Sequence, residues 1–325
     1  LRAYYFLLSR NPNLKEWTMT MTSKDKGVPF PLSALDGYPL AATRFEAEGP
    51  VKGHMVVAGA TGVPQDFYRR FACHASRQGF TVLTLDYRGI GKSRPANLKG
   101  FEAGCLDWGR LDLAAAVGAM AAADQPLFLV GHSYGGHALG LLPNHELLTA
   151  CCTLGAGAGW HGWMPFAESL RVRFLWNVVL PPLTRWKGYC PFAMLGMGED
   201  LPLGVYEQWR HWCRFPHYFF DDPEMPHMKA LYAEVRTPLL GISALDDLWA
   251  LPVSRDAFMQ GYSGARLTRM DLDPKVEAWG SIGHMGYFRD RAWPLWDRIL
   301  AWFGNEGQMA EKTRIYNPNP ALPLG

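Results

Sequence analysis

Pro126-Leu127-Phe128-Leu129-Val130-Gly131-His132-Ser133-Tyr134-Gly135-Gly136 is the stretch that decides how this chain folds. An apolar run of strand length breaks at a glycine, and a serine follows two residues later with further glycines two and three beyond it. The order is strand, tight turn, then an Ala/Leu-rich stretch that reads as helix, which is the setting in which Gly-x-Ser-x-Gly presents a nucleophile. Glycine is expected at 131 and 135 because the turn is too tight for Cβ atoms there. Such a turn lifts the Ser133 hydroxyl to the carboxyl edge of a sheet. A helix starting at Tyr134 would aim its first N–H groups at the same point, where negative charge can be stabilised.

The surroundings supply the sheet. Upstream, His54-Met55-Val56-Val57-Ala58 and Thr81-Val82-Leu83-Thr84-Leu85-Asp86 are apolar runs, each ending in glycine-rich residues. Between them, residues 66–78 place Phe67 and Phe71 four apart, as an amphipathic helix does. Leu113, Val117 and Met120 mark another helix ahead of the 127–130 strand. Further strands are expected at 148–154, 238–243 and 266–270, then a helix carrying Ala292, Leu295, Trp296 and Ile299 on one face. Asp36-Gly37 reads as a hairpin turn between two short apolar stretches. Strands that are apolar throughout and alternate with helices point to a parallel sheet covered on both faces.

Composition narrows the possibilities. With 325 residues, 48% hydrophobic and 19% charged, the chain is globular and long enough for one large α/β domain with an insertion. A net charge of +2 and no dense Lys/Arg stripe argue against nucleic acid as a partner. The six cysteines form no Cys-x-x-Cys pair, so they read as small buried apolar residues in a reducing, cytoplasmic setting. No apolar run approaches the roughly 18–20 residues of a membrane-spanning helix, so stable membrane insertion is not expected. Residues 1–18 either continue from an upstream segment or form a tail ahead of a start at Met19 or Met21. The Pro-rich end at 317–323 is expected to fray.

Two further motifs turn the elbow into a resemblance. Asp86-Tyr87-Arg88-Gly89-Ile90-Gly91-Lys92-Ser93 and Gly283-His284-Met285-Gly286-Tyr287-Phe288, together with the Ser133 turn, make residues 30–303 similar to the α/β-hydrolase superfamily, in its serine esterase and lipase-like branch. The resemblance implies a mostly parallel sheet flanked by helices, with a helical lid inserted after the sixth strand. The stretch 156–233 suits that lid: it is long, Pro-rich and holds six of the thirteen tryptophans. The expected organisation is a tail at 1–29, hydrolase core at 30–155, lid at 156–233, core again at 234–305, and a tail at 306–325.

In that fold the catalytic residues follow the order serine, acid, histidine. Only His284 among the ten histidines lies beyond residue 227, so it is the expected base. The acid should follow the 238–243 strand, where Asp246 and Asp247 stand side by side. The family's spacing to a proline such as Pro252 favours Asp247, with Asp246 the alternative acid and Asp271 and Asp273 weaker ones. The oxyanion hole would take the N–H of Tyr134 and that of Ala60, in the loop after the 54–58 strand. Arg88 is expected to brace its own loop. Gly91-Lys92-Ser93 lacks the glycine a phosphate loop needs five residues earlier, and His145-Glu146 lacks the second histidine of a zinc-protease helix. No metal or cofactor is called for.

The expected activity is hydrolysis of small-molecule carboxylic esters through an acyl-enzyme. Alternatives are acyl transfer by the same three residues, or a non-catalytic binding protein on the same scaffold. The sequence shows no charged, exposed lipid-binding helix, so short to medium acyl esters are expected in preference to long insoluble triglycerides.

Overall fold

A computed structural model of the chain describes residues 27–277 and 279–316, the last four by backbone alone. The expectations for residues 1–26 and for the Pro-rich 317–323 lie outside the described residues. Eight strands form one sheet in the order β1-β2-β4-β3-β5-β6-β7-β8. β1 (Val28–Ser33) and β2 (Pro39–Phe45) are the expected hairpin, and β2 pairs antiparallel with β4 (Phe80–Leu85). From there β3 (Gly53–Ala58), β5 (Leu127–His132), β6 (Ala150–Leu154), β7 (Leu239–Ala244) and β8 (Leu267–Leu272) run parallel.

The apolar strands serve two cores. Val56, Leu83, Leu129 and Cys151 face one cluster, whereas their neighbours Met55, Val82, Val130 and Cys152 face the other. Side chains alternate across a strand, so a strand apolar at every position must be covered on both faces. The helices Arg69–Arg77 and Trp293–Tyr316 cover one face. The helix Ala114–Met120 and much of the segment between β6 and β7 cover the other. All six cysteines are buried. Arg88 does brace its loop: its guanidinium bonds Asp112 at 2.8 Å and Asp36 at 2.7 Å.

The segment between β6 and β7 is helical, as expected, with the helices Phe166–Phe174, Leu180–Lys187, Leu203–Trp212 and Met228–Ala233. Trp176 and Trp212 are buried in the core this segment shares with the sheet. Its outer side departs from the sequence reading. Phe166, Leu170, Phe174 and Val178 recur every four residues and are all exposed, Phe166 at 79%, with Trp186 beyond them at 68%. A strict four-residue repeat drifts around an α-helix by about 40° per step. The wider π turn at Leu175–Val179 offsets part of that drift and keeps the four on one ridge. Hydrophobicity alone did not separate this ridge from a buried face, so an exposed apolar ridge stands where the sequence showed no exposed lipid-binding helix.

Two other boundaries moved. The last helix runs on to Tyr316, past the tail boundary expected at 305. The helix after Ser133 is a single turn, Tyr134–His137, continuing as a 3₁₀ turn over Ala138–Leu141. Glycines at 135, 136 and 140 disfavour a longer helix, so any macrodipole there is small.

The elbow is tightly packed. A Cβ on Gly131 would lie 2.5 Å from the Gly135 carbonyl, and a Cβ on Gly135 only 2.1 Å from the Ala58 oxygen. Gly135→Ala should therefore cost more than about 3 kcal/mol in urea unfolding, through backbone displacement. Gly304→Ala, with nothing within 4 Å and a helical setting, should instead gain about 0.5–1 kcal/mol. Equal effects would contradict the packing argument.

Candidate active site

Ser133 follows directly on β5 with φ 51° and ψ −113°. Among the described non-glycine residues only Ser133 and Tyr218 have positive φ. Such a conformation costs about 1–3 kcal/mol and persists only where its surroundings fix it. Here the Ser133 N–H donates to the Leu154 carbonyl at the end of β6 (2.9 Å), and its own carbonyl accepts from Gly136 (2.9 Å).

Next to Leu154, Gly155 turns with φ +60°. A Cβ there would sit 2.9 Å from Asp247 Oδ2 and 3.3 Å from His284 Nδ1. The carboxyl ends of β5, β6 and β7 thus bring the serine turn against an Asp–His pair. His284 Nδ1 lies 3.0 Å from both carboxylate oxygens of Asp247. The Asp247 side chain is fully buried, while His284 keeps about a quarter of its surface open.

The Asp247 carboxylate is well supplied with donors. Tyr287 Oη donates at 3.0 Å, and the Trp249 and Ala250 N–H groups donate at 3.1 Å each. Burial alone would raise its pKa, but the His284 charge and these hydrogen bonds outweigh burial and hold it below the usual carboxylate value. Burial likewise opposes the His284 imidazolium, and the Asp247 carboxylate overcomes that and raises the pKa above its ordinary 6.5. With Nδ1–H given to Asp247, Nε2 is left to accept a proton.

Asp246 does not reach the imidazole. Its oxygens accept from Ser281 Oγ (2.8 Å) and from the N–H groups of Ile282 (2.8 Å) and Gly283 (2.9 Å). It anchors the loop that delivers His284. Asp271 is taken by Arg255 at 2.5 Å, and Asp273 accepts the Lys275 N–H at 2.9 Å. Neither approaches His284 through a hydrogen bond.

The Tyr134 N–H has no acceptor among the described residues, as an oxyanion donor requires. Ala60 differs from expectation: its N–H donates to Tyr68 Oη at 2.7 Å. Tyr68 Oη in turn contacts His132 Nδ1 at 2.9 Å, and His132 Nε2 lies 2.8 Å from the His284 carbonyl. The directions are consistent only if His132 carries its proton on Nε2, donating to His284, and accepts from Tyr68 on Nδ1. Burial, with His284 nearby, pushes the His132 pKa down to about 3, so this ring stays neutral. Sequence reading missed Tyr68, His132 and Tyr287. The His132 position inside Gly-x-Ser-x-Gly was the one available hint.

The family model for the alpha/beta hydrolase family matches residues 55–309. The chain belongs to the α/β-hydrolase family. No curated protein sequence matches it. Among solved structures, a soluble variant of monoglyceride lipase from Saccharomyces cerevisiae superposes with TM-score 0.67 at 15% identity, covering 90% of this chain and 98% of that one. An esterase from Exiguobacterium antarcticum gives 0.53 at 15% identity, covering 85% and 98%. A thermophilic esterase from Thermogutta terrifontis gives 0.52 at 15% identity, covering 86% and 98%. At such identities these likenesses speak for the fold.

In this α/β-hydrolase an aromatic path leads away from the Asp–His pair. The Trp249 ring lies 6.5 Å from His284, Trp209 lies 6.0 Å from Trp249, and Trp176 lies 4.9 Å from Trp209. The path connects β7's loop to the helical segment between β6 and β7.

The opposite roles of the two aspartates are measurable without any substrate. In an NMR titration His284 should titrate above pH 6.5, and Asp247→Asn, which removes the cause, should lower that midpoint. Asp246→Asn should leave the midpoint nearly unchanged while speeding amide exchange at Ile282 and Gly283, with a stability loss on the order of 1–2 kcal/mol. A midpoint that follows Asp246 instead would reverse the assignment.

Proposed function

We propose that the chain is a serine carboxylic-ester hydrolase working through an acyl-enzyme on Ser133, with residues 156–233 as its lid. The observation that carries this reading is the buried Asp247 carboxylate on His284 Nδ1, which leaves Nε2 as the base beside a serine held at positive φ. Ser133 Oγ attacks the ester carbonyl as His284 Nε2 takes its proton, and Asp247 stabilises the imidazolium. The tetrahedral oxyanion is held by the Tyr134 N–H. The second donor comes from the 59–62 loop. Thr61 has its N–H unengaged among the described residues, whereas the Ala60 N–H joins only when Tyr68 Oη releases it. His284 then protonates the departing alcohol, and water repeats the sequence to free the acid. This chemistry needs no cofactor.

Ser133→Ala should abolish turnover of 4-nitrophenyl esters and labelling by a fluorophosphonate while leaving the melting curve intact. Wild-type turnover by this variant would overturn the proposal. Activity should fall as pH drops below the His284 midpoint, because an imidazolium cannot accept the serine proton. Asp247→Asn should lower turnover by as much as about 10⁴-fold.

The acyl preference has two readings. Short to medium acyl esters remain the expectation from sequence. The exposed ridge Phe166-Leu170-Phe174-Val178 favours a second reading, in which longer-chain esters are drawn from a lipid surface. The second reading expects faster turnover on emulsified long-chain esters than on soluble ones. It also expects a severalfold loss on emulsions alone in Phe166→Ser/Phe174→Ser. A preference for soluble short esters that this double variant does not change would decide for the first.

A further inference from the structure

Beside the aromatic path, a cavity of about 740 Å³ opens within the helical segment between β6 and β7. Three arginines line it, Arg173, Arg210 and Arg214, against a single acidic residue, Glu207. Among the described residues, none of the three arginines forms an ion pair. The neighbouring acids are committed elsewhere, Glu168 to Arg171 (2.5 Å) and the buried Asp222 to His211 (3.0 Å). Arg210 is fixed in place, its Nε donating to the Trp176 carbonyl at 3.0 Å.

The local field is positive. His161, which also lines the cavity, is held below the ordinary imidazole range by burial and by Arg173 next to it. Concentrating unpaired like charges around one concavity is unfavourable in the empty protein and favours an anion inside it. Guanidinium groups suit carboxylate and phosphate oxygens in particular, through paired N–H donors.

One edge of the cavity is tied by a short stretch of chain to the Asp–His pair. Gly159 lines it, only four residues from Gly155, which abuts His284 and Asp247. Four residues of even fully extended chain span at most about 14 Å, which is about the reach of a twelve-carbon acyl chain. Trp176 lines the cavity and is the far end of the aromatic path from His284.

We propose that this arginine-lined cavity binds an oxyanion group, carboxylate or phosphate, at the far end of the ester substrate, so that the natural substrate is an anionic ester. This rests on the ester-hydrolase reading above and assigns the substrate class to it.

The test compares two 4-nitrophenyl esters of equal acyl length, neutral dodecanoate and the monoester of dodecanedioic acid, whose acyl chain ends in a carboxylate. The wild type should prefer the anionic ester in kcat/KM. Arg173→Gln/Arg214→Gln, two exposed positions, should lower the anionic-to-neutral ratio about tenfold, mostly through KM, as loss of charge-assisted hydrogen bonds implies. An unchanged ratio overturns the inference and leaves the esterase reading standing. Inorganic phosphate separates two sources of anion. Competition against the anionic ester alone supports a substrate subsite, whereas equal effects on both esters make the cavity a site for free anion and overturn the substrate assignment. If neither ester is turned over, the esterase reading has failed. Binding of dodecanedioate by calorimetry then decides the cavity itself: loss of binding in the double variant supports it, and no binding to wild type overturns it.

Discussion

The contact on which the rest of this molecule depends is the close approach of the Gly135 backbone to Ala58. A Cβ at 135 would stand 2.1 Å from the Ala58 oxygen, and one at 131 would collide with Gly135. Because β3 and β5 are adjacent parallel strands, the chain leaving β5 must turn over the end of β3 with nothing between them. Only glycine permits that, and the residue caught at the apex, Ser133, is forced to φ 51°. The strain is therefore a consequence of sheet packing, and it fixes where a serine hydroxyl can stand relative to three strand ends.

Several polar side chains around that apex hold neighbouring loops. Asp246 ties down residues 281–283, and Tyr287 bridges the Ala244 N–H and Asp247. His132, beside Ser133 in sequence but pointing to the other side, grips the His284 carbonyl and the Tyr68 hydroxyl. The serine turn, the loop after β3 and the histidine loop are thus linked through one neutral ring. Buried polar groups linked this way are costly when any member loses its partner. Loss of Tyr68 or His132 would accordingly be felt in all three loops, although neither hydrogen-bonds the Asp247 carboxylate or the His284 imidazole.

How much could be read from sequence followed from how local each signal was. The elbow was legible because its glycines are demanded by contacts within a few residues. The two-faced sheet was legible because uninterrupted apolar strands have one physical explanation. The family's spacing to Pro252 favoured Asp247 but left Asp246 as the alternative, since adjacent residues at a strand end differ in direction, which spacing alone does not encode. The engagement of the Ala60 N–H was invisible, because the hydroxyl that takes it arrives from a side chain eight residues away with no pattern to mark it. The ridge on Phe166–Phe174 was missed for a different reason. Apolar residues at helical spacing announce a face, but whether another element covers that face depends on tertiary structure.

That last point bears on the helical segment as a whole. Its inner side is spent on Trp176, Leu180, Val205 and Trp212, which are continuous with the sheet's own core, and so the segment is anchored. Its outer side carries large apolar residues in water, where each forgoes roughly 1.5–3 kcal/mol of burial. Rotating the helix to bury the ridge would expose Val172 and Trp176 instead, so the fold has no cheap way to hide both faces. The mixed outer surface, apolar along one line and cationic around the adjoining cavity, follows from anchoring the segment by its other side. Residues that face outward under that constraint contribute little to folding, which leaves their chemistry free to be set by what the molecule meets.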